Sequence, residues 1–433
     1  MQQISLDEIL PELSEMVFTL SEEYTFKVST KRIFGDTSNI TPNIKTGFIP
    51  FLLKEEFKSD HVEKKEYWVL TNITTINENE YTRMLVLVPG SLSSIVKLLY
   101  SPILGVRETA MHAIGNISSE NTQQRDMLLN IGALEPLVDW LNIQAQNRMI
   151  RLKEVRLVVW TMSTLCTRSP PPSYHRIGIC FSILTKLVYC KDPEILIYTL
   201  SALSSITESF SEMIPEIITS YNTIQELIFI LDHRSLEIKI LTIKTIGNIV
   251  ASDFQFPHNI MNQLCCALTI YIDNFVQLDQ QFLFFVLWTL SNVAAGKSDH
   301  IQMVIDSNAI PKLLIIMSSH KDGLNRCKIE AIWVLRHIIA AGNHSHIKYL
   351  ILNGCCKSLC DLLTIDNTDI LNLLLVTLES LSQMITIQFS KDFLIGHIKS
   401  SMSSVSFDKL HRLKKQGTYS PIHIVDNLLQ YFK

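Results

Sequence analysis

The chain has 433 residues, 47% hydrophobic and 18% charged, which excludes global disorder and leaves two or three domains or one elongated repeat array. Gly and Pro number 14 each, too few turn formers for a β-sandwich or a loop-rich secreted scaffold. The formal net charge of −4 excludes a globally basic nucleic-acid binder, and the lack of a run of about 18 apolar residues argues against membrane insertion.

In chain order, residues 1–45 are irregular and read as an N-terminal capping repeat; their acidic, polar start fits no signal peptide. From 46 to 387 one pattern recurs: a Trp or its replacement, three residues, then an Asn or its replacement. It stands at 68–75 (WVLTNITT), 112–119 (HAIGNISS), 160–167 (WTMSTLCT), 201–208 (SALSSITE), 244–251 (KTIGNIVA), 288–295 (WTLSNVAA), 333–340 (WVLRHIIA) and 376–383 (VTLESLSQ). The steps are 44, 48, 41, 43, 44, 45 and 43 residues, the period of two- or three-helix HEAT or armadillo repeats. A second element keeps the same beat. A Gly or Asn precedes an apolar helical run at 47–53, 90–99, 132–141, 222–231, 308–317 and 354–363, where a turn with positive φ is expected. Residues 388–433 read as a C-terminal capping repeat. The expected fold is therefore all-α, a right-handed superhelical solenoid of about ten armadillo repeats whose third helices line a concave groove.

Positions i and i+4 share a helix face, so each Trp–Asn pair projects side by side, and stacking repeats turns one pair into a ladder. Parallel indoles form slots for the methylene stems of Lys or Arg, with cation–π attraction of about 0.5–2 kcal/mol each. An Asn amide, donor and acceptor together, can clamp the backbone of an extended peptide. Such a wall is a receptor for a stretched basic peptide, provided that its indoles and amides, at Trp68, Asn72, Asn116, Trp160, Trp288, Asn292 and Trp333, are at least partly exposed.

These motifs resemble the importin-α (karyopherin-α) family of armadillo adaptors. The segment 106–137 is similar to the family's third repeat, 160–172 with its triple proline to the fourth, 285–314 to the seventh and 407–432 to the closing one. The resemblance implies a nuclear-localisation-signal receptor that carries Lys/Arg-rich cargo peptides, shuttles between cytoplasm and nucleus, and has importin-β and the importin-α export receptor as further partners. It implies a major cargo site at Trp68, Asn72, His112, Asn116, Glu120, Trp160 and Thr164, with Glu120 in the place of the acidic residue that receives a lysine. It implies a minor site at Lys244, Asn248, Trp288, Asn292, Glu330, Trp333 and His337. His112 stands for a Trp, Thr164 and His337 for Asn, Phe285 for an acid, and Ile76 for a Gly, so weaker or altered binding is expected. Repeat five has lost the pair, at Ser201 and Ser205. The basic segment that recruits importin-β in the family has no counterpart in residues 1–45, whose only cations are Lys27, Lys31, Arg32 and Lys45. That segment, and the autoinhibition it provides, are expected to be missing.

No cofactor or metal is expected. The Gly-Lys-Ser at 296–298 lacks the upstream glycine of a phosphate loop, since position 291 is Ser. His344, His346, Cys355, Cys356 and Cys360 lack paired zinc-ligand spacing. The nine cysteines form no CxxC and read as reduced thiols. No nucleophile elbow, HExxH or paired-carboxylate motif is present, so an enzyme is not expected. Two other readings stay open: an armadillo scaffold that holds other extended peptides, and a former adaptor that kept the fold and lost its binding wall.

Overall fold

Helices follow from the repeat pattern, and the computed structural model shows how they stack. It describes residues 86, 89–146, 151–218, 221–388, 400–401, 403–416 and 422–432. Trp68, Asn72, Ile76 and the stretch 1–45 lie outside these. Among the described residues every regular element is helical, in two units, Met1–Ser209 and Phe210–Lys433. This is the all-α armadillo solenoid expected from the sequence.

The first unit contains α1 (Ser91–Leu98), α2 (Leu104–Glu120), α3 (Thr122–Asn130), α4 (Glu135–Gln146), α5 (Leu152–Cys166), α6 (Phe181–Leu187) and α7 (Pro193–Ser209). The second contains α8 (Tyr221–Ile230), α9 (Leu236–Val250), α10 (His258–Asp273), α11 (Gln280–Ala294), α12 (Ser298–Asp306), α13 (Ala309–Ser318), α14 (Asn325–Ala341), α15 (His344–Leu352), α16 (Cys355–Leu362), α17 (Thr368–Gln388), α18 (Ser404–Gln416) and α19 (Ile422–Phe432). The helices that carry the recurring motif pack side by side: α2 on α5 and α5 on α7 in the first unit, then α9 on α11, α11 on α14 and α14 on α17 in the second. Each unit thus owns one continuous wall.

The turn residues before the apolar helices behave as their chemistry demands. Gly90, Gly132 and Gly354 have φ of 81°, 81° and 85°, and Asn308 adopts 61°. Asn222 differs: α8 begins at Tyr221, so this Asn lies in the first helical turn rather than at a positive-φ turn.

Neighbouring repeats are held in register by threonines one position after the motif's first residue. Thr161 is fully buried and its hydroxyl donates to the Leu157 carbonyl at 2.9 Å and to the Met111 carbonyl of α2 at 3.2 Å. Thr289 is equally buried; it donates to Phe285 O at 2.8 Å and reaches Ile243 O of α9 at 3.5 Å.

Candidate functional site

On each wall the indoles have a seat. Trp160 of α5 lies against Gly115 of α2: a methyl group at Gly115 would overlap the ring atoms Cζ3 and Cη2 and stand 2.9 Å from Cε3. Trp288 of α11 repeats this against Gly247 of α9, where a methyl would overlap Cζ3 and stand 2.7 Å from Cε3 and 2.8 Å from Thr289 Oγ1. Trp160, Trp288 and Trp333 are all half-buried, so part of each indole faces solvent, as a ladder requires. The sequence carried this signal in the small residue before each Asn, which the Trp–Asn spacing alone passes over.

The seat inverts a common substitution rule. Gly247→Ala would gain about 1 kcal/mol of helix propensity at an ordinary site, but overpacking against Trp288 costs about 1–3 kcal/mol. A lower melting temperature is therefore expected, and in a Trp288→Ala background, itself less stable, the same Gly247→Ala should no longer lower it. A rise in melting temperature from Gly247→Ala alone would mean that the indole does not rest there.

His112, in the place of a Trp, keeps part of the aromatic ladder. Its ring lies 5.9 Å from Trp160, tilted by 50°. Desolvation against the wall lowers its pKa; Glu108 opposes this and Lys153 adds to it, so the ring is mainly neutral at pH 7 and packs as an aromatic face.

The Asn positions also bond across repeats. Asn292 Nδ2 donates to Gly247 O at 3.3 Å, across the repeat boundary. His337 Nδ1 sits 3.0 Å from Ser291 O, which selects the tautomer with Nδ1 protonated and donating. Burial lowers the His337 pKa, and nearby Arg336 lowers it further against the pull of that carbonyl. Thr164 accepts from Ser118 Oγ at 2.8 Å and donates to Thr161 O at 2.8 Å. His337 and Thr164 thus replace the inter-repeat bond of an Asn rather than its free amide. Asn116 is half-buried, while Asn248 is only 9% exposed, which leaves little of it for a ligand.

The two walls differ in charge. In the first unit, Arg156, one turn before Trp160, is neutralised: its Nε and Nη2 grip Asp192 at 3.1 and 2.7 Å, and Nη1 lies 3.2 Å from Glu194. This pairing holds the Asp192 carboxyl below its usual range. Glu120 is the last residue of α2, where the helix dipole disfavours negative charge. The Gln124 amide, with its nitrogen turned inward, donates to Ile117 O and Glu120 Oε2 at 3.0 Å each. Oε1 is enclosed and has no hydrogen-bond partner among the described residues.

In the second unit, Lys244 Nζ stands 5.7 Å over the Phe285 ring, in the place where an acid was expected to be replaced. Phe285 itself meets Trp288 edge-on at 6.1 Å. Glu330, one turn before Trp333, is desolvated, and this pushes its carboxyl up to about 7 against the pull of Arg326. The sign is fixed by linkage. Between roughly pH 4.3 and pH 7 the unfolded chain releases this proton while the folded chain retains it, so this group's contribution to stability falls as pH rises. Glu330→Gln should match the native chain in melting temperature near pH 4 and exceed it at pH 7.5. An equal offset at both pH values would contradict the burial of this carboxyl.

The other cluster weighed from sequence has structural partners. His346 Nδ1 accepts from Asn343 N–H at 3.2 Å in a capping box on α15, and its Nε2 lies 3.0 Å from Gln302 Oε1. Burial raises the pKa values of Cys355, Cys356 and Cys360, which remain thiols. Among the described residues no three His, Cys, Asp or Glu side chains converge to hold a metal.

No family model matches the chain. It is 32% identical over 373 residues to importin subunit alpha-5 of Arabidopsis thaliana, covering 85% of this chain and 68% of that relative. It is 31% identical over 344 residues to importin subunit alpha-1b of Oryza sativa subsp. japonica, 79% of this chain and 61% of that relative. Importin subunit alpha-3 of Arabidopsis thaliana gives 30% over 344 residues, 78% and 62%. The chain thus spans about three-fifths of the length of several curated relatives it matches. Among solved structures, an engineered protein aligns with a TM-score of 0.71 at 18% identity over 97% of both chains, which bears on the fold alone.

Proposed function

The chain belongs to the importin-α family, and from that premise we propose that it is a nuclear-localisation-signal adaptor whose walls receive extended Lys/Arg-rich cargo peptides. The observation that carries the reading is the pairing, on one wall, of a seated, half-exposed Trp160 beside His112 with the unmet Oε1 of Glu120. A lysine stem laid against the rings would bring its ammonium towards that oxygen. Packing against the rings alone is worth about 0.5–2 kcal/mol, while a charge-assisted bond adds about 1.5–3 kcal/mol. Importin-β, the export receptor and shuttling between cytoplasm and nucleus belong to the same proposal. Calorimetric titration of the whole chain with a Lys-rich octapeptide tests it. Binding weakened at least fivefold by Trp160→Ala supports the adaptor reading, and absence of binding overturns it. The scaffold reading draws on one observation, the cations Lys244 and Arg336 on the second wall, which suit a partner that is not uniformly basic.

A further inference from the structure

Five motif helices carry a small residue three positions after the motif's start: Gly115, Ser163, Ser204, Gly247 and Ser291. Where the next repeat supplies an indole, as for Gly115 and Gly247, that small residue is its seat. On α14 the same position is Arg336, and the next repeat begins with Val376 in place of Trp. A long side chain is therefore tolerated there because no indole has to be seated above it. The guanidinium lies over Trp333, its carbon 5.4 Å from the ring centroid. The last indole slot of this wall already holds a cation of the protein's own.

Among the described residues that cation has no ion-pair partner. Arg336 is half-buried, its Nη1 is enclosed with no hydrogen-bond partner, and among the described residues no carboxylate pairs with it. The acids nearest in sequence register are otherwise placed. Glu330 is held largely protonated up to about pH 7 by burial, and Glu379 of α17 accepts from Asn427 Nδ2 at 3.0 Å. Arg156, one turn before its own indole, shows the contrast: it has two carboxylates. A half-buried guanidinium with no carboxylate beside it favours a planar anion over a second cation at its solvent-facing side.

We propose that Arg336 is a specificity-determining residue that makes the Trp333 end of the second wall select a carboxylate, so that this wall takes peptides in which an Asp or Glu accompanies the basic residues. A ligand lysine laid on Trp333 would meet like charge from Arg336, whereas a glutamate would complete the pair. The inference rests on the peptide-receptor reading above, and its test separates the two. Two fluorescein-labelled octapeptides of alternating Lys and Ala, one with a central Lys replaced by Glu, are titrated onto the whole chain by anisotropy. Each carries a photo-crosslinking residue beside the variable position, and crosslinks are mapped by mass spectrometry. The Glu-containing peptide is expected to crosslink within 326–341. Arg336→Gln, which keeps a polar side chain and loses the charge, should weaken it about tenfold while leaving the all-basic peptide unchanged or tighter. Arg336→Lys should give an intermediate loss, which guards against misreading a folding defect. If the all-basic peptide binds but Arg336→Gln changes both affinities by the same factor, this inference fails and the receptor reading stands. If neither peptide binds the native chain, both fail.

Discussion

Replacing Arg125 by Ala should destabilise the first unit by about 3–5 kcal/mol, the range for deleting a large buried side chain and leaving its acceptors unmet. The residue is fully buried on α3. Its Nη1 donates to Thr167 O at 2.8 Å, Arg168 O at 3.2 Å and Pro170 O at 2.9 Å, and Nε donates to Asp126 Oδ1 at 2.9 Å. One side chain thus fastens the loop that follows α5 to the helix that follows α2. That loop needs fastening: Arg168 has φ of 80°, a left-handed conformation that costs a non-glycine residue about 1–3 kcal/mol. Truncation leaves a cavity, three carbonyls without their donor and a loop free to relax. Arg125→Lys should recover only part of the loss, because one ammonium cannot reproduce the fork. The melting temperature of the chain should fall for both variants, and amide exchange in 167–177 should accelerate first. Equal exchange in native and Ala variants would show that the clamp does not hold the loop.

Reversing the charge of Glu120 should weaken binding of a Lys-rich peptide at least tenfold, or about 1.4 kcal/mol. Two costs add: the ammonium loses its carboxylate and meets a second cation. Glu120→Gln, equal in size, should lose less and should flatten the salt dependence, because the remaining contact is a neutral hydrogen bond. Lys244→Glu, on the other wall, should leave this affinity unchanged. A Glu120→Lys chain that binds as the native one does would assign cargo to the second wall, at Trp288, Asn292 and Trp333.

The repeat period made the fold legible, because stacking requires each helix to return to the same register and the Trp–Asn pair marks that register in the chain itself. The partial exposure of Trp160, Trp288 and Trp333 was equally legible, since i and i+4 share a face in any helix. What the pairs touch was not. A spacing rule concerns one helix, whereas the seat at Gly115, the Thr161 bond to Met111 O and the clamp of Arg125 join residues 42 to 50 positions apart. The roles of Thr164 and His337 illustrate the same point. From sequence they were losses of an Asn amide; in space each makes a bond across the repeat boundary. Arg336 was silent in the pattern because its meaning depends on Val376, one repeat further on.

On this reading a basic peptide lies along Trp160 and His112 of the first wall. Chemical-shift titration of the indole N–H groups, assigned by single Trp→Phe substitutions, reads this directly. On adding a Lys-rich octapeptide, the resonance of Trp160 should move with the same apparent Kd as calorimetry gives. Trp140, half-buried on α4 and outside the recurring motif, should not move. A peptide that binds while Trp160 stays still and Trp140 shifts would place cargo away from this wall.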